Sequence, residues 1–194
     1  MNRRWAGVTI ACAVLIAMAA AFWLWRPAPA RPAPPAPTGV APAAVPLAAP
    51  LTERWMARLY LPDASDRLAV LELEVESGGS AAERARATLE ALLAARPEAP
   101  LQPLFPTPVE LGKLLLAEDG TAYVDLRAAG SGDPPDSGST VELLRVYSLV
   151  HTLLRNVPEI HRVVLLWNGI QRTSLAGHVD TAHALGLRPE LEAR

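Results

Sequence analysis

The chain is nearly devoid of cysteine. Cys12 is the only one in 194 residues, so no disulfide can form within the chain and no thiolate cluster can hold zinc. Lysine is equally scarce, with Lys113 alone. Acidic residues are missing from the first 50 positions, whose only charged side chains are Arg3, Arg4, Arg26 and Arg31. With those four of the 18 basic groups upstream, 14 remain against 20 acidic ones from residue 51 onward, a formal charge of −6. Such a balance does not attract nucleic acid, whose binding needs clustered cations to displace counterions. Without disulfide or metal cluster, stability rests on an ordinary apolar core, and roughly 140 residues suffice to build one.

What is present begins with an apolar run. Residues 6–25, AGVTIACAVLIAMAAAFWLW, carry no charge. As a helix rising about 1.5 Å per residue they span roughly 30 Å, the thickness of a bilayer core. Arg3 and Arg4 precede the run, and Trp23 and Trp25 stand at its far end, where an aromatic belt belongs. Residues 1–5 then form a cytoplasmic tail and 6–25 a transmembrane signal anchor, with the rest of the chain exported. Arg26 and Arg31 follow the run, so local charge by itself leaves the orientation open. Two other readings of the run stand beside the anchor. Ala19-Ala20-Ala21 has the small residues of a cleavage site, which would release a form starting at Phe22. Lipidation of Cys12 is the weaker of the two, because only six residues separate it from Trp5 and Thr9-Ile10-Ala11 is a poor lipobox.

Residues 26–50 hold nine of the 19 prolines, mixed with alanine. Each proline removes a backbone donor and fixes φ, so the stretch reads as an extended, semi-rigid tether. At about 3.1 Å per residue it reaches up to roughly 75 Å from the membrane.

Residues 51–187 read as one α+β domain and 188–194 as a C-terminal tail. Trp55, Ala57, Leu59 and Leu61 alternate with Arg54, Met56, Arg58 and Tyr60, which predicts a strand ended by Pro62-Asp63. Ala69, Leu71, Leu73 and Val75 alternate with Val70, Glu72, Glu74 and Glu76, a second strand with its glutamates in solvent. After Gly78-Gly79, Ser80 and Glu83 form a capping box. The helix it opens carries Ala85, Leu89, Leu92 and Leu93 on one stripe and stops at Pro97. Pro97, Pro100, Pro103, Pro106 and Pro108 make the next stretch an irregular connection. Leu114–Leu116 and Ala122–Leu126 flank Asp119-Gly120, a favoured hairpin turn. Ser139 and Glu142 suggest a second capping box, opening a helix whose apolar side is Leu143, Val146, Tyr147, Val150, Leu153 and Leu154. Val163–Trp167 is a strongly apolar strand, followed by the turn Asn168-Gly169 and a short strand from Ile170 to Ser174. The order ββαββαβ predicts a mixed sheet of five or six strands with two helices packed on one face, preceded by the transmembrane helix.

Residues 147–180, YSLVHTLLRNVPEIHRVVLLWNGIQRTSLAGHVD, resemble the sporulation and spore germination domain called GerMN. That family's pattern is an "NTL"-like motif on a helix, an apolar strand, a glycine turn and a closing L-x-G-H-x-D. Here these are His151-Thr152-Leu153, Val163–Leu166, Asn168-Gly169 and Leu175-Ala176-Gly177-His178-Val179-Asp180. Weaker agreements are Leu59–Asp63, Leu89–Leu93, Pro106-Thr107 and Gly120–Leu126, so the likeness covers about Glu53 to Leu187. His151 departs from the pattern, which has asparagine there. The resemblance implies a non-enzymatic α/β module of bacterial envelope proteins, tied to germination or to assemblies in sporulating bacteria and found in others too, with no cofactor.

Chemistry, if present, falls on His178, Asp180 and His183, three divalent-metal ligands of the right kind within six residues. No HExxH helix sets their geometry. The alternative is structural: His178 and Asp180 close the turn after Gly177 by bonding backbone groups. Ser174 with His178 and Asp180 has the residue types of a hydrolase triad, but sequence proximity is not triad geometry and no G-x-S-x-G elbow is present. His151 reads as a half-buried helix histidine. Trp167 is either an exposed contact residue or core or hairpin packing. The expectation is therefore a protein of the bacterial inner (cytoplasmic) membrane, single-pass through 6–25, with its domain periplasmic or extracellular. Its domain would be a non-catalytic module that binds an envelope protein, a second copy or cell-wall material, through Gly177, His178, Asp180, Thr152, Trp167, Asn168 or Gly169. The alternative is an envelope hydrolase or metal-dependent enzyme using the His178/Asp180/His183 segment.

Overall fold

The computed structural model describes residues 52–128 and 132–193. The expected anchor (6–25) and tether (26–50) lie outside them. Among the described residues no helix is long and apolar enough to cross a membrane.

The chain runs β1 (Glu53–Pro62), β2 (Leu68–Ser77), α1 (Ala81–Ala94), β3 (Val109–Leu116), β4 (Thr121–Ala128), α2 (Ser139–Asn156) and β5 (Arg162–Trp167), then a single 3-10 turn, Pro189–Leu191. Alternation in β1 and β2 produces a hairpin paired from Glu53↔Ser77 to Pro62↔Leu68. Asp63 holds its turn, accepting from the N–H groups of Ser65 (2.8 Å) and Arg67 (3.0 Å). β3 and β4 pair antiparallel around Asp119-Gly120. Gly120 has φ +76°, and a Cβ there would lie 2.6 Å from the His161 ring, so both backbone sign and space demand glycine. β5 returns through α2 to lie parallel to β4.

The five strands do not form one sheet. β1 and β2 make a two-stranded sheet, and β3, β4 and β5 a three-stranded one, so the expected mixed sheet of five or six strands is corrected. The reason lies at the free edge of β1, which helix side chains occupy. Asn156 accepts from the Arg58 N–H (2.9 Å) and donates to the Arg58 carbonyl (2.8 Å). Thr152 Oγ1 accepts from the Tyr60 N–H at 3.0 Å, and Ser148 Oγ donates to the Tyr60 carbonyl. Side chains one turn apart on α2 thus do the work of a neighbouring strand, and no further strand can join there.

The expected last strand, Ile170–Ser174, is also absent. Asn168 (φ +52°) and Gly169 (φ +76°) turn the chain so that Trp167 and Ile170 bond each other, after which it bends away. Leu185 takes the outer edge of β5 instead, exchanging two bonds with Val163 at 2.8 and 2.9 Å.

Both helices touch strands of both sheets. One apolar core results, built from Leu59 and Leu61 of β1, Leu89 and Leu92 of α1, Val124 and Leu126 of β4, Leu149 and Leu153 of α2, and Leu165 and Trp167 of β5. The Ser80–Glu83 capping box opens α1 as expected. The Ser139–Glu142 box does not form: Gly138 is the N-cap of α2, with no side-chain bond, and Glu142 is directed elsewhere. Nor is 188–193 a loose tail, since Ala193 N–H donates to the Leu68 carbonyl at 2.8 Å.

Candidate functional site

α2 is buried without a break from Leu144 to Leu153. Amid its apolar residues, Glu142, Arg145, Ser148, Thr152 and Asn156 recur three or four positions apart and share a face. Buried polar groups need partners. Each of these, with His151, finds one in a different segment of the chain.

Glu142 is 1% exposed and accepts five hydrogen bonds from one loop. Its Oε1 receives the Ser174 hydroxyl (2.6 Å) and the N–H groups of Leu175 (2.9 Å) and Ala176 (2.8 Å). Its Oε2 receives the N–H groups of His178 (2.7 Å) and Val179 (3.2 Å). Burial pushes the carboxyl pKa up, but the Ser174 hydroxyl and the loop N–H groups outweigh it and hold it below the usual carboxylate range. Arg145 donates to the carbonyls of Leu104 (3.1 Å) and Pro135 (3.2 Å), with its guanidinium over the Phe105 ring.

His151 is fully buried and bonded at both nitrogens. Nδ1 meets Glu192 Oε1 at 2.9 Å, and Nε2 accepts from the Arg188 N–H at 3.0 Å. That pair of bonds requires the neutral ring with its proton on Nδ1. Burial lowers its pKa, against the raising effect of the Glu192 charge. Arg155 braces Glu192 from the next turn at 2.6 Å.

The loop that Glu142 clasps faces a cleft of about 390 Å³, whose lining includes His178, Asp180, His183, Tyr147 and Arg188. The three residues expected to carry chemistry therefore share one cleft. Among the described residues, however, no group of three His, Cys, Asp or Glu is placed to hold a metal ion. The turn is closed by backbone rather than by imidazole. The His178 N–H binds Glu142 while its ring is exposed, and only Asp180 bonds as expected, accepting from the Ala182 N–H at 2.8 Å. Ser174 donates to Glu142 and accepts from the Gly177 N–H at 2.8 Å, so its hydroxyl is not directed to His178 and the triad does not assemble. Gly177, at φ +96°, supplies the left-handed residue the loop needs.

The remaining candidates also hold structure. Thr152 caps the edge of β1. Trp167 is fully buried, its indole N–H donating to the Gly132 carbonyl at 2.8 Å. Asn168 and Gly169 form the turn, with the Gly169 N–H bonded to Asp125 at 2.7 Å. Arg145, Ser148, Asn156 and Glu192 carry no motif in the sequence, and Glu142 reads there only as a helix cap. The signal for those on α2 is the polar stripe on an otherwise apolar helix, which Glu142 masks by also fitting a capping box, whereas nothing local marks Glu192.

Residues 58–173 match the model of the family described as sporulation and spore germination, Germane. Solved structures share the fold. The tandem GerMN domains of the sporulation protein GerM from Bacillus subtilis align with a TM-score of 0.55 and 21% identity, over 69% of this chain and 46% of that one. The first GerMN domain of that protein gives 0.51 and 21%, over 70% and 98%. A Clostridium perfringens structure described as a lipoprotein gives 0.50 and 16%, over 73% and 93%. No curated protein sequence matches the chain.

Proposed function

Because the chain belongs to the sporulation and spore germination family, we propose that it is a membrane-tethered envelope protein whose one GerMN-like domain is a non-catalytic interaction or assembly module outside the cytoplasm. The observation that carries this reading is the use made of the polar residues. Glu142, His151 and Thr152 bind the backbone N–H groups of Leu175, Arg188 and Tyr60, and Ser174, the hydroxyl that a triad would draft, donates to Glu142. A module that presents a rigid surface needs such residues; a catalyst needs them convergent and free to react. The uncharged run 6–25 supports a single-pass anchor and the proline-rich 26–50 a spacer. The likeness to a structure described as a lipoprotein supports an envelope location.

In cells, a photocrosslinking residue placed at exposed positions such as Leu115, Val141 or Ile170 should join the full-length chain to another envelope component or to a second copy. The yield should depend on position. His183→Ala should leave the cellular phenotype of the chain intact. Loss of that phenotype on His183→Ala, with no crosslink at any exposed position, would favour the envelope enzyme that uses the His178/Asp180/His183 cleft.

A further inference from the structure

An unpaired sheet edge is a template for another strand, so each edge in this fold needs an account. Three of the four are closed or broken. β1 is capped by Ser148, Thr152 and Asn156. β5 is paired to Leu185. β3 is interrupted by a register shift between Leu111 and Leu114, with the Gly112 carbonyl taken by Arg86 at 3.2 Å.

β2 is the fourth edge. In an antiparallel ladder, directly opposed residues either bond each other or both point outward. Arg58 and Tyr60 turn their backbone groups to α2, so their partners Glu72 and Val70 point the other way, and by the two-residue repeat so do Glu74 and Glu76. Among the described residues none of those four outward pairs of N–H and C=O groups is hydrogen-bonded. The chain itself shows that the edge takes an added strand. Leu68, the next outward residue, bridges Glu192 in parallel and accepts from the Ala193 N–H. That pairing reaches only the start of the edge.

The side chains of the open part then select the occupant. Val70, Glu72, Glu74 and Glu76 share one face, and all are exposed. Glu76 pairs with Arg54, whereas Glu72 and Glu74 have no ion pair among the described residues. A second copy adding antiparallel at this edge would set glutamates against glutamates, which is destabilising. An extended segment with Lys or Arg at alternate positions would find both backbone partners and opposite charges. We propose that the edge of β2 from Val70 to Glu76 is the docking edge for an extended basic segment of a partner protein. This rests on the interaction-module reading and gives that reading a surface and a partner chemistry.

The test uses the full-length chain and an end-blocked octapeptide alternating lysine and valine, with backbone amide exchange as the readout. The peptide should bind saturably and slow exchange at residues 70–76. An octapeptide alternating glutamate and valine should bind at least tenfold more weakly, as should the lysine peptide to Glu72→Lys/Glu74→Lys. Glu74→Pro removes an outward N–H without touching a β1–β2 bond and should have the same effect. A peptide N-methylated at alternate residues should fail against the unaltered protein, whatever the folding of the variants. Absence of slowing within 70–76, or binding that survives both Glu74→Pro and N-methylation, would overturn the docking edge. If the edge fails while the cellular crosslinks persist, the interaction reading stands without it; loss of both removes the reading as well.

Discussion

Glu142 and His178 exchange the roles that their residue types suggest. A histidine beside an aspartate invites chemistry, and a glutamate four residues into a helix invites a cap. Here the glutamate is the buried hub and the histidine ring faces solvent. Glu142→Gln replaces two anionic acceptors with one neutral one, leaving donors of the 174–179 loop unpaired. It should lower unfolding free energy by about 2–3 kcal/mol, and faster amide exchange should appear at Ala176 and His178. His178→Ala should stay within about 0.5 kcal/mol of the parent. Chemical denaturation of both variants checks this, and equal losses would refute the assignment of Glu142 as the hub. His151 gives the fold a pH dependence. Its folded pKa lies below the ordinary 6.5, so its neutral form contributes fully above about pH 6.5, and that contribution is lost as pH falls toward the folded value. Glu142 and Glu192 act in the same direction at lower pH. Burial raises both, but the Ser174 hydroxyl on one and the Arg155 bond on the other leave them below the ordinary 4.5. Melting temperature should therefore fall on acidification from pH 7.5. His151→Asn should melt lower at pH 7.5 yet lose the part of the fall just below pH 6.5.

Each helix has a sequence that suggests the same N-terminal device, but only one uses it. Ser80 accepts from the Glu83 N–H at 3.2 Å, whereas Ser139 lies inside α2 after Gly138. Ser80→Ala should cost about 1 kcal/mol in a urea titration. Ser139→Ala should be neutral to within about 0.5 kcal/mol. The other end of α2 carries the more consequential contact. Thr152→Val keeps the shape but removes the acceptor for the Tyr60 N–H, a group with no other bond. A loss of about 1–3 kcal/mol is expected, with accelerated exchange of that one amide. Unchanged exchange at Tyr60 would mean that the helix does not serve as the missing neighbour of β1.

At the scale of the molecule, the last residues belong to the domain. Arg188 and Glu192 occupy the two nitrogens of His151, and Arg67 donates to the Glu190 carbonyl. A chain ending at Leu187 would keep every strand and both helices but leave a buried imidazole with neither partner. It should be less stable by about 2–4 kcal/mol, measured as a lower melting temperature, and its pH dependence near 6.5 should change with it. A truncated chain as stable as the whole would make the segment the tail that its sequence suggests.

Local chemistry alone determined much of this protein. Period-two alternation marks β1 and β2, and the Ser80–Glu83 pair marks the start of α1. Asp119-Gly120 and Asn168-Gly169 mark turns whose backbone has positive φ at Gly120, Asn168 and Gly169. The chain belongs to the family that its motifs resemble, and the matched residues 58–173 end just before the motif 175–180. Tertiary structure decided the rest. Whether β1 would gain a neighbouring strand depended on Thr152, 92 residues away, and on Asn156, 98 residues from Arg58. Whether Glu142 would cap its own helix or gather a loop 32 to 37 residues downstream depended on where β5 delivered that loop. A side chain's local bond is written in its neighbours. A bond closed across the fold exists only after packing has brought the two segments together, and short-range patterns carry no record of that distance.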